Sequence, residues 1–354
     1  FIELPITVND LHSDKLLSDP DAVKETAREY WSTLYHHDKP PDIPKPWLTT
    51  KAVLDIKKRV HNDPFIWPRP ASLSDFRAVL RKGTPRPAPG RDEWEKWLIK
   101  SLTDRALGIV LRLHNYIVMN AKFPGDLKDM THTMFHKRGL RTDLSNWRGL
   151  LLSNFLANSP LAWLNFNLIP YIAKLRILPD TQVATQQGVQ TRDLMSYLSG
   201  MKGFDHLLPQ GFYDAISAYG LPTAIADLDR AAQSDTRCFI RTAHGTAEPI
   251  TISGVTKQGG SLSPVKSTLT TSLGHHYLND LLANDPDALI ITSSKAQKAD
   301  PHLPDDNLRT LVGMVEATDD SHLFSRSLPS LRRNVLAMER FQFAYGWTTN
   351  WLKS

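Results

Sequence analysis

Cysteine is nearly absent: Cys238 is the only one in 354 residues. That excludes a disulfide framework and any site built on several thiolates, and it fits a reducing, intracellular compartment. Long apolar runs are missing too. The richest stretch, Leu150 to Ile172, is interrupted by Ser153, Asn154, Asn158, Ser159, Pro160, Asn165 and Asn167, so no membrane span is predicted. The common catalytic signatures are also missing: no His-Glu-x-x-His, no Gly-x-Ser-x-Gly elbow, no P-loop and no dinucleotide fingerprint. Among the 13 histidines, His36-His37 and His275-His276 are adjacent rather than four apart, so they predict no helical metal pair. The first residue is Phe1 and no basic-plus-apolar leader follows, so the chain reads as a piece of a larger polypeptide.

What remains is an ordinary globular mixture, 41% hydrophobic and 22% charged. The length suits two packed lobes around separate cores. Charge is unevenly placed. The whole chain carries 42 Lys+Arg against 37 Asp+Glu, a net +5. Residues 51–150 hold 20 against 10, or +10, which leaves −5 for the rest. A basic block joined to a mildly acidic remainder fits a polyanion-binding surface beside a metal-binding region, or a basic surface that serves solubility alone.

Periodicity and punctuation divide the chain further. Asp19-Pro20 predicts a capped helix to Tyr35, and Pro40, Pro41, Pro44 and Pro46 predict an extended linker after it. Helices are expected over 49–60 and 72–80, then a stiff proline-glycine turn over 82–92, then one long helical period over 93–121. Met134-Phe135 and Leu150-Leu151-Leu152 flank a polar hairpin. Further helices are expected over 156–178, 212–219, 224–234, 264–282 and 331–345, with a β-hairpin between Thr236 and Val255.

Four constellations can carry chemistry. Asp319-Asp320 lies between two short apolar segments; at a hairpin tip such carboxylates face a shared hard cation, and elsewhere they make a solvated turn. Gly259-Gly260 after a strand, followed by Ser261-Leu262-Ser263-Pro264, lets backbone approach a planar or phosphate-bearing ligand, or simply serves a helix entry. Lys137, Arg138, Arg141 and Arg148 suit phosphates, or form a solvated positive face. The segment from Tyr345 to Ser354 is by itself a loop and the start of a strand.

Taken in order, these elements resemble the reverse transcriptase domain of a non-LTR retrotransposon. Ala88-Pro89-Gly90-Arg91-Asp92 is similar to the family's opening element. Phe135-His136-Lys137-Arg138-Gly139 and Asn146-Trp147-Arg148-Gly149-Leu150-Leu151-Leu152 resemble its fingers pattern. Thr181-Gln182 through Gly188-Val189-Gln190 resembles the next element. Lys202-Gly203-Phe204-Asp205, Gln258 to Pro264, and Thr318-Asp319-Asp320 resemble its three palm motifs. Gly346, Asn350, Lys353 and Ser354 resemble the one that follows.

The resemblance implies an α+β fold, the fingers and palm of a polymerase right hand, with an antiparallel palm sheet backed by helices and the thumb absent. It implies a helical N-terminal extension with a proline-rich linker over 1–80, a fingers-like region over 81–190 and a palm-like region over 191–354. It implies RNA template, DNA primer and dNTP as partners, and two Mg²⁺ ions about 3.5–4 Å apart as the cofactor. Asp319 would bind metal with Asp320 as its partner. Lys137 and Arg148 would hold the triphosphate, and Arg138 and Arg141 nucleic acid. Phe204 would screen the sugar, Gln258 and Gly259 would shape the nucleotide pocket, and Lys353 would lie near the pyrophosphate.

The sequence departs from the family at one position. The family's first palm aspartate stands five residues before the aromatic, and here that residue is Ser199. A neutral, monodentate hydroxyl does not bridge two divalent ions. Asp205 is six residues downstream of the required place, about 20 Å along a strand. Only nine residues separate Arg192 from Lys202, where a helix alone takes about 11, so a palm strand is expected to be deleted. The expectation is a reverse transcriptase-like domain with DNA synthesis impaired or lost; the alternatives are a non-catalytic nucleic-acid-binding remnant and a decayed fragment.

Overall fold

Side-chain caps written into the sequence start many of the helices. In the computed structural model, which describes residues 4–36, 41–84, 86–182, 207–252, 256, 260–293, 308–317 and 320–347, Asp19 caps α1 (Pro20–Leu34) by accepting from the Ala22 amide. Thr50 caps α2 (Lys51–Asn62). Ser72 and Asp75 form a reciprocal capping box on α3 (Leu73–Arg81). The long period expected over 93–121 is two helices, α4 (Lys96–Ser101) and α5 (Asp104–Asn120). The break is Leu102 in extended conformation and Thr103 accepting from the Ala106 amide, so an N-cap inside an apolar run overrides its periodicity.

Three strands of seven residues follow this pattern of helices. β3 (Met130–His136) and β4 (Trp147–Ser153) pair antiparallel. After α6 (Phe155–Lys174), α7 (Pro209–Ala218) and α8 (Thr223–Gln233), β5 (Thr236–Thr242) joins β3 in parallel, with Met130 opposite Cys238. The short β6 (Gly245–Thr246) and β7 (Ile250–Ile252) pair antiparallel with β5. α1 lies on one face of this sheet, with Trp31, Met134, Leu151, Cys238 and Ile240 in a shared core. A two-stranded ribbon, β1 (Val8–Asn9) with β2 (Leu16–Leu17), precedes α1.

The second core surrounds α9 (Ser263–Leu282). This helix is buried nearly all round although six of its residues from Lys266 to Ser272 are polar. The hydroxyls are satisfied within the helix itself: Thr268 donates to the Pro264 carbonyl at 2.8 Å, Thr270 to Lys266 at 2.8 Å and Ser272 to Leu269 at 2.8 Å. α2, α6, α7 and α10 (Leu328–Ala344) contribute to the same core. Gly346 follows α10 with φ +79°, the left-handed turn that ends it. Two antiparallel ribbons complete the described chain, β8 (Ile290–Ser293) with β9 (Leu308–Leu311), and β10 (Met314–Ala317) with β11 (Asp320–Leu323).

The fold is therefore α+β, with one mixed sheet under α1 and a helical core around α9. The first 80 residues serve both cores. Trp31 and Tyr35 pack on the sheet, while Trp47, Val53, Ile56 and Val60 belong to the α9 core. Trp47 donates its indole N–H to the Tyr345 hydroxyl at 2.9 Å, and that hydroxyl donates to Asp214 at 2.9 Å. Among the described residues no helix is long and apolar enough to cross a membrane.

Candidate nucleic-acid interface

The β3–β4 hairpin shows what each residue of its connecting segment does. His136 pairs with Trp147, and the Lys137 amide donates to the Asn146 carbonyl at 2.8 Å. Asn146 then braces the turn from inside, donating to the Leu140 carbonyl at 3.1 Å and to Asp143 at 3.3 Å. Gly139 has φ +88°, and a Cβ there would lie 2.7 Å from the Asn146 amide nitrogen. Trp147 is buried and its indole N–H donates to the Arg141 carbonyl at 2.8 Å. Gly149 carries no Cβ because Trp31, Tyr35 and His132 occupy that space. The turn is thus fixed by its own hydrogen bonds, and Lys137, Arg138, Arg141 and Arg148 are exposed on and beside it.

Register decides which face each side chain shares. Arg148 lies opposite Phe135, and Phe135 is 42% exposed. On β5, Cys238 and Ile240 face the core, so Arg237, Phe239 and Arg241 stand on the other side of the sheet, turned away from α1. The Arg91 guanidinium stacks 3.5 Å from the centroid of the Phe239 ring, and Arg237 approaches the same ring at 5.8 Å. Arg237 is also held by Asp126 and Asp129, each at 2.7 Å.

The Ala88–Asp92 segment is pinned to this face by close approach. A Cβ on Gly90 would sit 2.3 Å from the Asn154 Oδ1 and 2.5 Å from its backbone nitrogen. The Asp92 amide donates to the same Oδ1 at 3.1 Å, and Asn154 donates to the Leu127 carbonyl at 3.0 Å. Burial pushes the Asp92 carboxyl above the usual carboxylate range. The cavity beside it, of about 710 Å³, is walled by Arg91, Asp92, Asn154, Arg237 and Phe239.

In the β10–β11 ribbon, Ala317 pairs with Asp320. Asp319 lies outside the described residues, and Asp320 is described in its backbone alone. The ribbon's other acid, Glu316, is one register step from that pair and so belongs to the opposite face. Glu316 is 1% exposed and its Oε2 lies 3.1 Å from His275 Nε2 of α9. Gln182 bridges to Glu316 through the backbone and donates to Thr271 at 2.6 Å. This network holds the ribbon down on α9.

Glu316 Oε1 is buried without a hydrogen-bond partner among the described residues. Among the described residues no group of three His, Cys, Asp or Glu side chains could hold a metal ion. Ser199, Phe204, Gln258, Gly259 and Lys353 lie outside the described residues. The motif that contains Gln258 is described from Gly260: the Ser261 amide donates to Asn158 at 3.2 Å, and its carbonyl accepts from Asn165 at 2.9 Å, which ties the start of α9 to α6.

Of the expected site residues, the structure brings Lys137, Arg138, Arg141 and Arg148 together on one hairpin. Arg237, Phe239 and Asn154 are not among the expected site residues, and Arg91 and Phe135 enter the sequence analysis only as motif residues. The alternation in Thr236–Thr242 already sets Arg237, Phe239 and Arg241 on one face, and that signal was available. Nothing in sequence links Gly90 to Asn154, which are joined only by the fold. No protein-family model matches the chain, and comparison with curated proteins finds no match.

Proposed function

We propose that the chain is a reverse transcriptase-like domain of retrotransposon origin that keeps the strand-binding surface of a polymerase right hand and has impaired or lost nucleotidyl transfer. The observation that carries this reading is the fixed basic turn of β3–β4, set on a sheet whose outer face bears Arg148, Phe135 and an Arg91–Phe239 stack. Cations beside the exposed Phe135 ring suit a polynucleotide: the cations meet phosphate, and the ring accepts a base without regard to sequence. The palm part of the reading rests on the sequence resemblance and on the tight register of the β10–β11 ribbon. Ser199 at the place of an aspartate supports impaired or lost catalysis.

In that reading the ligand is an RNA template with a DNA primer, and the family's dNTP and Mg²⁺ chemistry no longer has its full set of oxygen ligands. Two measurements test it. RNA binding should weaken steeply as salt rises, and Lys137→Glu with Arg148→Glu should weaken it further. Binding indifferent to both salt and these substitutions overturns the interface. Template-dependent DNA synthesis with Mg²⁺ or Mn²⁺ should be absent. Robust synthesis that Asp319→Ala abolishes overturns the loss of activity.

A further inference from the structure

A second cavity, of about 780 Å³, opens between α6, Lys82, Gly83, Thr84 and Pro87, and the Ser261 turn. Three features distinguish it from a packing gap. Phe166 is half-buried in its wall, stacked on Trp163 at 5.6 Å, and the Lys82 ammonium stands 4.2 Å over the Phe166 ring. Asn165, another wall residue, gives its amide nitrogen to the Ser261 carbonyl at 2.9 Å, while its Oδ1 is buried with no hydrogen-bond partner. Lys96 braces the rim: its ammonium bonds the Lys82 carbonyl and reaches the Thr84 carbonyl at 3.5 Å.

A buried carbonyl oxygen without a donor costs about 1–3 kcal/mol, and a ligand that brings an N–H recovers it. The Phe166 ring offers a stacking surface of base size once the exposed Lys82 ammonium that stands over it turns aside. The geometry points to this cavity as a pocket for one unpaired nucleobase with its phosphate, the base stacking on Phe166 and donating to Asn165 Oδ1 while Lys82 turns to the phosphate. An apolar ligand fits less well, because it would leave Asn165 unsatisfied. The base has two sources, a free nucleotide or a single-stranded RNA. The strand source rests on the function proposed above, since it needs the β3–β4 face to hold the flanking phosphates.

The test uses 2-aminopurine fluorescence with the full chain. One probe is 2-aminopurine riboside 5′-monophosphate, the other a single-stranded RNA decamer carrying one internal 2-aminopurine. Quenching of either probe by the unaltered protein, reduced at least fivefold in affinity by Phe166→Ala and by Asn165→Leu, is the expected result. Circular dichroism melts identify any variant that has lost its fold, and Lys82→Ala, on an exposed side chain, then replaces it. Quenching of the mononucleotide assigns a free-nucleotide pocket, and quenching of the decamer alone assigns the strand. No quenching of either probe, or quenching unchanged in folded variants, overturns the pocket. If the decamer binds by anisotropy and is not quenched, the pocket fails while the strand-binding surface stands. If the mononucleotide is quenched and the decamer does not bind at low salt, the strand-binding surface fails and the pocket stands.

Discussion

Gly149 on β4 approaches His132 on β3 so closely that a Cβ at Gly149 would lie 2.3 Å from His132 Nε2 and 2.4 Å from the Tyr35 hydroxyl oxygen. The same space admits the edge of Trp31, whose ring lies 4.3 Å from the His132 ring. One glycine therefore lets α1 seat its aromatic residues flush on the sheet. Gly149→Ala should lower stability by about 1–3 kcal/mol, the usual cost of overpacking a filled core. Urea unfolding should show a lower midpoint with an unchanged slope. An unaltered midpoint would mean that the close approach costs nothing to relieve.

His132 carries a second consequence. Burial lowers its pKa from 6.5 to about 3, and the same cause lowers His114 and His276 to about 4. All three are neutral in the fold and more basic in the unfolded chain. The unfolded state then binds more protons as pH falls below 6.5, so stability is full above that value and declines between roughly pH 6.5 and the folded values. Each group contributes a slope of up to about 1.4 kcal/mol per pH unit within its window. Unfolding free energy measured at pH 7.5, 6.5, 5.5 and 5.0 should fall with increasing steepness. His132→Phe should flatten that profile by close to one proton's worth, and an unchanged slope would remove His132 from the account.

A buried ion pair sets a different constraint. Lys266 of α9 and Asp229 of α8 are each 3% exposed and 2.7 Å apart. Asp229 also accepts from the Tyr213 hydroxyl at 2.9 Å, and burial holds the Lys266 ammonium below its ordinary pKa. Removing the lysine alone leaves a buried carboxylate without its cation. Lys266→Met should therefore cost about 3–5 kcal/mol. The double change Lys266→Met with Asp229→Leu should recover most of that loss. A double-mutant cycle measures the difference, and a double variant no more stable than Lys266→Met would show that the pair is not what ties these helices together.

How much of this was legible in the sequence depends on whether the signal was local. Asp19, Thr50 and Ser72 announce their helices because a cap is read within four residues. Thr236–Thr242 is a strand in sequence and in structure because its alternation is complete. Thr103 does not stand out because Leu102 and Leu107 continue an apolar period across it, yet its hydroxyl caps the start of a new helix, α5. α9 is legible as a helix over 264–282, but its burial nearly all round is not, since its polar buried faces are built from hydroxyls bonded to its own carbonyls. The positive turn at Lys137–Arg148 was legible as composition. The partners that fix it or share its face, such as Asn154 with Asp92, 62 residues apart, and Phe239 with Arg91, farther still, come from distant segments, and pairwise approach at that range leaves no mark in periodicity.

The arginines of the sheet's outer face should not contribute equally to binding. Arg148 is exposed beside the basic turn, whereas Arg237 already bonds Asp126 and Asp129 and has its guanidinium pKa raised, chiefly by the Asp129 hydrogen bond. A phosphate reaching Arg237 meets a cation flanked by two carboxylates, so little net attraction remains. Arg148→Ala should reduce the slope of log affinity against log salt for single-stranded RNA by about 0.7, the value for one phosphate contact. Arg237→Ala should leave that slope nearly unchanged, because removing it also exposes Asp126 and Asp129 without altering the number of counterions released. Fluorescence anisotropy across a salt series checks both variants. Equal losses from the two would mean that the strand runs over β5 rather than along the β3–β4 turn, and a loss confined to Arg237→Ala would displace the interface altogether.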